Sequence, residues 1–368
     1  MKIKINTKKM KKALDIAERF RSGTAGGAMS GFLIEADASG LAVTATGGEA
    51  FAKVSVKDAG CIITEGSAVF PAKLRAVVNS CDAEYITIDA PEPAMAMVKF
   101  NRSKFKLALF SKLDYPRISF DMSDVSFAAP SEKMTKLIKS VAFAASKKES
   151  IPALSAVNLT LCGRTLNAEA TDGYRIAVNK AEVDASDDAS GVALVQAKAL
   201  ENLCCFPKSV ISFYMSRNLC FTGEDEEFAV TAEIRTVNAT FPNFDSIMNA
   251  EKMCNKKLVI KKNKFLSAID RASLFADGDH HVVTLNLSSN ENCKISSQAE
   301  IGSSDENLDG SFSGDDITCS FDLQYMKDVL KHTGSGDVKV SFGEELRPAF
   351  FHVDSDSGKY VILPVRTC

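Results

Sequence analysis

Most of the chain alternates. AEYITID (83–89), VKFNRSKFKLALF (98–110) and EEFAVTAEI (226–234) put apolar side chains at nearly every second position, the pattern of strands in a sheet with one wet face. Three stretches break the alternation with apolar residues spaced three and four apart, as an amphipathic helix requires: TKKMKKALDIAERF (7–20), SEKMTKLIKSVAFAAS (131–146) and NKFLSAIDRASLFA (263–276). Each follows a short alternating strand, KIKIN, VSFAAP or KLVIKK. A second helix is expected in VFPAKLRAVVNSC (69–81), LVQAKALENLCCF (194–206) and SFDLQYMKDVLKH (320–332), each opening after a strand at a polar or proline position.

These landmarks recur at one period. Met10, Met134 and Phe265 are 124 and 131 residues apart, and Phe70, Val195 and Phe321 are 125 and 126 apart. TATGGEAFAKV and AEATDGYRIAV match from Thr46 to Thr171, at 125, and YPRI and FPNF align through Pro116 and Pro242, at 126. Such periodicity marks a repeat. The predicted organisation is three tandem modules, 1–125, 126–250 and 251–368, with boundaries in the polar stretches DMSDVS and NAEKMCNKK. The fold class is α+β with mainly antiparallel sheet and two helices per module.

Composition narrows the class. With 45% hydrophobic and 25% charged residues, the 368-residue chain has the balance of a globular protein. No stretch approaches the ~20 apolar residues that cross a bilayer, and MKIKINTKKMKK lacks the apolar core of a signal peptide, so a cytoplasmic location with no membrane partner is expected. The ten cysteines include no CxxC pair and read as small buried hydrophobes in a reducing compartment. His280 and His281, in a DGDHH loop, lack further ligands at metal-site spacing and read as a solvated loop. No metal or cofactor is expected.

Charge alters the picture more than its total of −3 suggests. The first helix of each module is basic: Thr7–Arg21 carries +4, Ser131–Lys148 +4 and Lys261–Ala276 +3, leaving −14 elsewhere. A single such helix would be read as a solvated face. Three equivalent helices of one sign suit a polyanion, with lysines giving sequence-independent, salt-sensitive attachment to phosphates. Nucleotide-binding, zinc-protease and serine-hydrolase motifs are absent, so no catalytic residue is assigned. A sequence-specific repressor or scaffold and an enzyme with an unfamiliar site remain the competing classes.

At AEATDGYRIAV, FPNFDSI, SFDLQYMKDVL and YVILPVRTC the sequence resembles the beta subunit of bacterial DNA polymerase III, the sliding-clamp family, over its whole length. The resemblance implies a non-catalytic processivity factor. Three similar domains per subunit would close head to tail with a second subunit into a ring, helices inside and sheets outside, encircling double-stranded DNA. Partners implied are the polymerase III catalytic subunit, the clamp loader and other proteins bearing clamp-binding motifs.

Carried over by position, the implied peptide pocket comprises Leu154, Thr171, Gly173, Tyr174, Arg175, Ile176, Pro242, Ile247, Tyr325, Leu346, Pro348, Val361, Leu363, Pro364, Val365 and Arg366. Aliphatic residues and prolines would form an apolar groove, while arginine and threonine would fix a peptide's polar atoms. Without the resemblance, Asp172-Gly173 reads as a hairpin turn and LPV as core strand. The DNA-facing candidates are Lys12, Lys73, Lys136, Lys148, Lys198 and Lys264. For the ring joint, Phe105 and Leu107 would face Leu274 and Phe275. Ser246 stands where the family often has arginine, Ala153 replaces a larger residue, and TAGGAM and TATGG depart from the usual first-module pattern. The pocket has no evident counterpart in the first module.

Overall fold

The computed structural model describes residues 1–21, 26–92, 94–123, 125–148, 150–206, 209–276, 281–290, 293–354 and 357–366. His280 and part of the TAGGAM segment lie outside them. The described residues fold as α+β with antiparallel sheet, in two compact units: Met1–Thr135 with Leu161–Arg164 and Val183–Thr236, and Lys136–Thr160 with Thr165–Glu182 and Val237–Cys368. The residues expected as the middle module contribute to both.

In the first unit, a five-stranded sheet runs in the order Gly60–Thr64, Lys2–Asn6, Tyr85–Glu92, Met95–Phe100, Ser103–Ala108. An eight-stranded sheet runs Val125–Pro130, Val210–Met215, Asn218–Glu224, Phe228–Arg235, Ala50–Val56, Gly40–Thr46, Phe32–Asp37, Gly66–Phe70. The inward positions of these strands hold Phe32, Phe70, Phe213, Phe221 and Phe228, all fully buried. Each such side chain removed from water contributes about 1.5–3 kcal/mol.

In the second unit, the long sheet runs through Ala156–Cys162, Thr165–Thr171, Arg175–Glu182, Lys359–Ile362, Ala349–Val353, Asp337–Phe342, Lys256–Lys261 and Gly310–Ser313. A four-stranded sheet runs Gly302–Asn307, Lys294–Ala299, Val282–Leu287, Ile317–Asp322.

The helices are α1 (Thr7–Glu18), α2 (Lys73–Asn79), α3 (Ser131–Ala142), α4 (Ala197–Leu200), α5 (Asp245–Ala250), α6 (Lys262–Ala272) and α7 (Leu323–His332). Asn6 caps α1 by accepting from the Lys8 and Lys9 amides, and Asp322 caps α7 by accepting from Gln324 and Tyr325. The buried faces match the periodicity: Met10, Ala13, Leu14 and Ala17 in α1, and Phe265, Ala268, Ile269 and Ala272 in α6.

One element differs from expectation. The second helix expected at 194–206 is one turn of α-helix followed by a 3-10 turn, Glu201–Cys205; the sequence places Pro207 just beyond, and the residue before a proline is pushed out of the helical region. In the polar stretch near residue 250, α5 runs directly into a 3-10 turn at Glu251–Met253.

Candidate functional site

The densest polar construction in the second unit is built on the hairpin joining Thr165–Thr171 to Arg175–Glu182. Gly173 turns the chain at φ +94°, a conformation that disfavours a side chain. The Thr171 hydroxyl accepts from the Gly173 amide at 3.0 Å and donates to the Arg175 carbonyl at 2.6 Å. Arg175, whose side chain is 5% exposed, donates to Asp172 at 3.0 Å, to Asp328 of α7 at 2.6 Å and to the Phe143 carbonyl at 2.6 Å. Its guanidinium lies 4.5 Å from the centre of the Tyr325 ring. One cation thus ties hairpin, α7 and the chain beyond α3 together, with its charge compensated on two sides. Burial, and the carboxylates Asp172 and Asp322, push the Tyr325 hydroxyl up to about 12, so it stays a protonated donor.

Some of the residues carried over from the family adjoin this hub. Tyr174, 64% exposed, stacks with Tyr325 at 6.4 Å. Its carbonyl accepts from the Leu363 amide at 2.9 Å, which aligns the Leu363-Pro364-Val365 segment with the turn. Val365 is held in turn by the Ser320 carbonyl. Ile176 pairs with Val361, and both join Phe244 and Phe350 in a buried cluster on which Ile247 packs.

The set therefore separates by accessibility. Thr171, Arg175, Ile176 and Val361 are buried. Leu154, Ile247, Tyr325, Pro348, Leu363, Pro364 and Val365 are half-buried, while Gly173, Tyr174, Pro242, Leu346 and Arg366 are exposed. Leu346 and Pro348 precede the strand that supplies Phe350. Ser246 is exposed and Ala153 buried. Arg175 and Thr171 are bonded to their own chain, so they shape the surface rather than offer free polar atoms to a ligand. Asp172, Asp328, Phe143 and Phe244 belong to the same construction and were not singled out from the sequence; Asp328 follows Tyr325 by about one helical turn, the only local trace of its role.

The basic helices are less free than their charge suggests. Lys9 donates to the Lys57 and Asp58 carbonyls, Lys11 to the Cys81 carbonyl and Lys262 to the Thr333 and Gly334 carbonyls. Arg271 is paired with Glu306, Lys12 with Glu227 at 2.9 Å, and Lys264 lies 4.0 Å from Asp309. Lys12, Lys73, Lys136, Lys148, Lys198 and Lys264 are all exposed. Among the described residues, Lys73, Lys136, Lys148 and Lys198 form no ion pair. The exposed pairs of Lys12 and Lys264 are worth about 0–1 kcal/mol and exchange readily for another anion.

Each unit also carries an open sheet edge. Ser103–Ala108 alternates exposed Lys104 and Lys106 with half-buried Phe105, stacked on Phe100 at 5.5 Å, and Leu107, already 8% exposed within its own sheet. Gly302–Asn307 carries Asp305 and Glu306. Beside it, Leu274 is 69% exposed and the half-buried Phe275 ring covers Gly302.

Cys81, Cys220, Cys293 and Cys319 are buried as expected, but Cys61 and Cys162 are exposed, standing on an edge strand and at a strand end. The His281 ring lies 2.6 Å from the Ala276 carbonyl. Among the described residues, no three His, Cys, Asp or Glu side chains gather as a metal site, and no helix is long and apolar enough to cross a membrane.

Residues 128–243 match the family profile of the DNA polymerase III beta subunit, central domain, and residues 252–366 that of the C-terminal domain. The chain belongs to the DNA polymerase III beta subunit family. Beta sliding clamps from Bacillus subtilis and Vibrio cholerae are each 26% identical to it, over 82% of this chain and 81% of the relative in the first case, and 94% and 95% in the second. The solved sliding clamp of B. subtilis superposes over the full length of both chains with a TM-score of 0.93 at 24% identity, and the beta subunit from Thermotoga maritima with 0.90 at 21%. Beta subunit membership accounts for the α+β fold.

Proposed function

We propose that this chain is a DNA sliding clamp: a non-catalytic processivity factor that encircles double-stranded DNA and tethers the replicative polymerase. The observation that carries this reading is the pair of adjacent family matches, which leave only a short stretch between them and span the hub around Arg175.

In this reading three modules, 1–125, 126–250 and 251–368, form half of a ring, and a second copy closes it in the cytoplasm. The Ser103–Ala108 edge of one copy would pair with the Gly302–Asn307 edge of the other. Exposed edge strands call for a partner, and lysines on one against carboxylates on the other give the joint its polarity. Phe105, Leu107, Leu274 and Phe275 would flank it.

DNA is retained by topology, so weak contacts from Lys73, Lys136, Lys148 and Lys198, with Lys12 and Lys264 released from surface pairs, permit sliding. The Tyr174–Leu363 slot would receive an apolar peptide segment of the polymerase catalytic subunit, the clamp loader or other partners. Neighbouring residues already fixed by hydrogen bonds and packing, such as Arg175 and Val361, would lower the ordering cost of binding. Primer extension by the polymerase III core, limited to one binding event per template, tests the proposal. Products should lengthen many-fold when the chain is loaded, and an unchanged length distribution would contradict the reading.

A further inference from the structure

We propose that the first unit carries a second peptide-binding groove, on one face of its eight-stranded sheet, that takes an extended acidic peptide with apolar side chains.

The repeat locates it. Thr46 accepts from the Gly48 amide at 3.2 Å as Thr171 does from Gly173 at 3.0 Å, with φ of +88° and +94° at the two glycines. The Arg235 amide donates to the Glu49 carbonyl as Leu363 donates to Tyr174. Strand register then sets Ala50 in the place of Arg175, Phe51 in that of Ile176 and Glu233 in that of Val361.

The hub cation is therefore missing from this copy, and the slot is filled by its own chain. Phe120 lies against Phe51 at 5.4 Å, and the Asp121 amide donates to the Glu233 carboxylate at 3.2 Å. Open space of about 680 Å³ remains beside it, between residues 112–120 and the strands Phe32–Asp37, Gly40–Thr46 and Ala50–Val56. That volume is within the range of ligand sites. The Tyr115 hydroxyl donates to the Thr44 carbonyl at 3.1 Å and pins the 112–120 segment to the sheet, so the groove is preformed.

Its chemistry selects the occupant. Leu33, Ile118 and Phe120 supply apolar surface, and Leu113 stands at the rim 96% exposed. Lys53, Lys112 and Arg117 line it together with a single carboxylate, Glu35, which lies 3.8 Å from Lys53, while the Lys112 ammonium donates to the Ser67 hydroxyl. Three cations to one anion, around apolar surface framed by a sheet and the 112–120 segment, fit carboxylates alternating with aliphatic side chains.

The test uses the full chain with Tyr174→Ala and Leu363→Ala to disable the other slot. Leu113→Trp adds the sole tryptophan of the protein, a reporter at the groove. The probes are a short peptide alternating aspartate and leucine and its asparagine counterpart. The acidic peptide should change the tryptophan emission saturably, the asparagine peptide should bind at least about tenfold more weakly, and Lys53→Glu with Arg117→Glu should weaken the acidic peptide by about tenfold, since reversing two exposed charges turns modest attractions into repulsions. Both substituted positions lie at the surface, and far-ultraviolet circular dichroism checks that the fold persists. Overturning results are equal affinity for the two peptides, no effect of the charge reversals, or binding seen only when Tyr174 and Leu363 are intact.

Discussion

Replacing Arg175 by methionine removes the one cation between two mostly buried carboxylates. The Asp172 and Asp328 side chains are 12% and 16% exposed, and with Arg175 gone each is left without its cationic partner. Removing one member of a buried pair costs about 3–5 kcal/mol. Loss of the guanidinium over Tyr325 adds about 1 kcal/mol. The sum is a large share of the roughly 5–15 kcal/mol that holds a domain folded. Methionine keeps much of the volume, so the loss reports charge rather than a cavity.

Urea unfolding of Arg175→Met should show a midpoint shift corresponding to about 3–5 kcal/mol in the transition of the second unit. Adding Asp328→Asn to that variant should recover part of it, because one stranded charge is removed. Arg175→Lys should fall between, since an ammonium cannot span both carboxylates and the Phe143 carbonyl in one plane. The affinity of the Tyr174–Leu363 slot should fall in parallel, as Tyr325 loses the cation that fixes its ring. A stability change under about 1 kcal/mol, with no recovery in the double variant, would refute the view that Arg175 is the keystone of the site.

Other consequences follow from the same geometry. Leu363→Ala should weaken binding of a partner peptide by about 1–2 kcal/mol in fluorescence anisotropy while leaving the sedimentation coefficient of the assembly unchanged. Lys104→Glu with Lys106→Glu should shift sedimentation from dimer to monomer, and Asp305→Lys with Glu306→Lys on the other edge should restore the dimer when the two variants are mixed. Glu251 is raised by burial, but hydrogen bonds and charges from His352 and Lys359 outweigh this and hold its carboxyl below the ordinary 4.5. A depressed carboxyl stabilises the fold above its unfolded value and loses that contribution as the pH falls through its folded value. Glu251→Gln should therefore flatten the loss of stability below about pH 4.5 and change little at neutrality.

Much of this was legible in the chain because it is local. Alternation and helical spacing need only neighbouring residues, and the recurrence of Thr46 and Thr171 reflects one hairpin device used twice. What was not legible depends on partners far away in sequence. Arg175 finds Asp328 across 153 positions, and Lys9 and Lys11 cap carbonyls 48 and 70 positions on. No charge count shows that a lysine is engaged in this way. The first-module counterpart of that hairpin was visible in the alignment of Thr46 with Thr171, with an alanine at the arginine's place, but the glutamate at the place of Val361 needs the strand register. Cys61 and Cys162 were read as buried because cysteine usually is, whereas their exposure follows from an edge strand and a strand end.

If the protein holds DNA by enclosing it, the topology of the DNA decides its retention. After loading onto nicked circular duplex DNA, the chain should stay with the circle through gel filtration at elevated salt and be lost when a restriction enzyme linearises it. Equal retention on circular and linear DNA, or loss from both that tracks salt alone, would contradict enclosure.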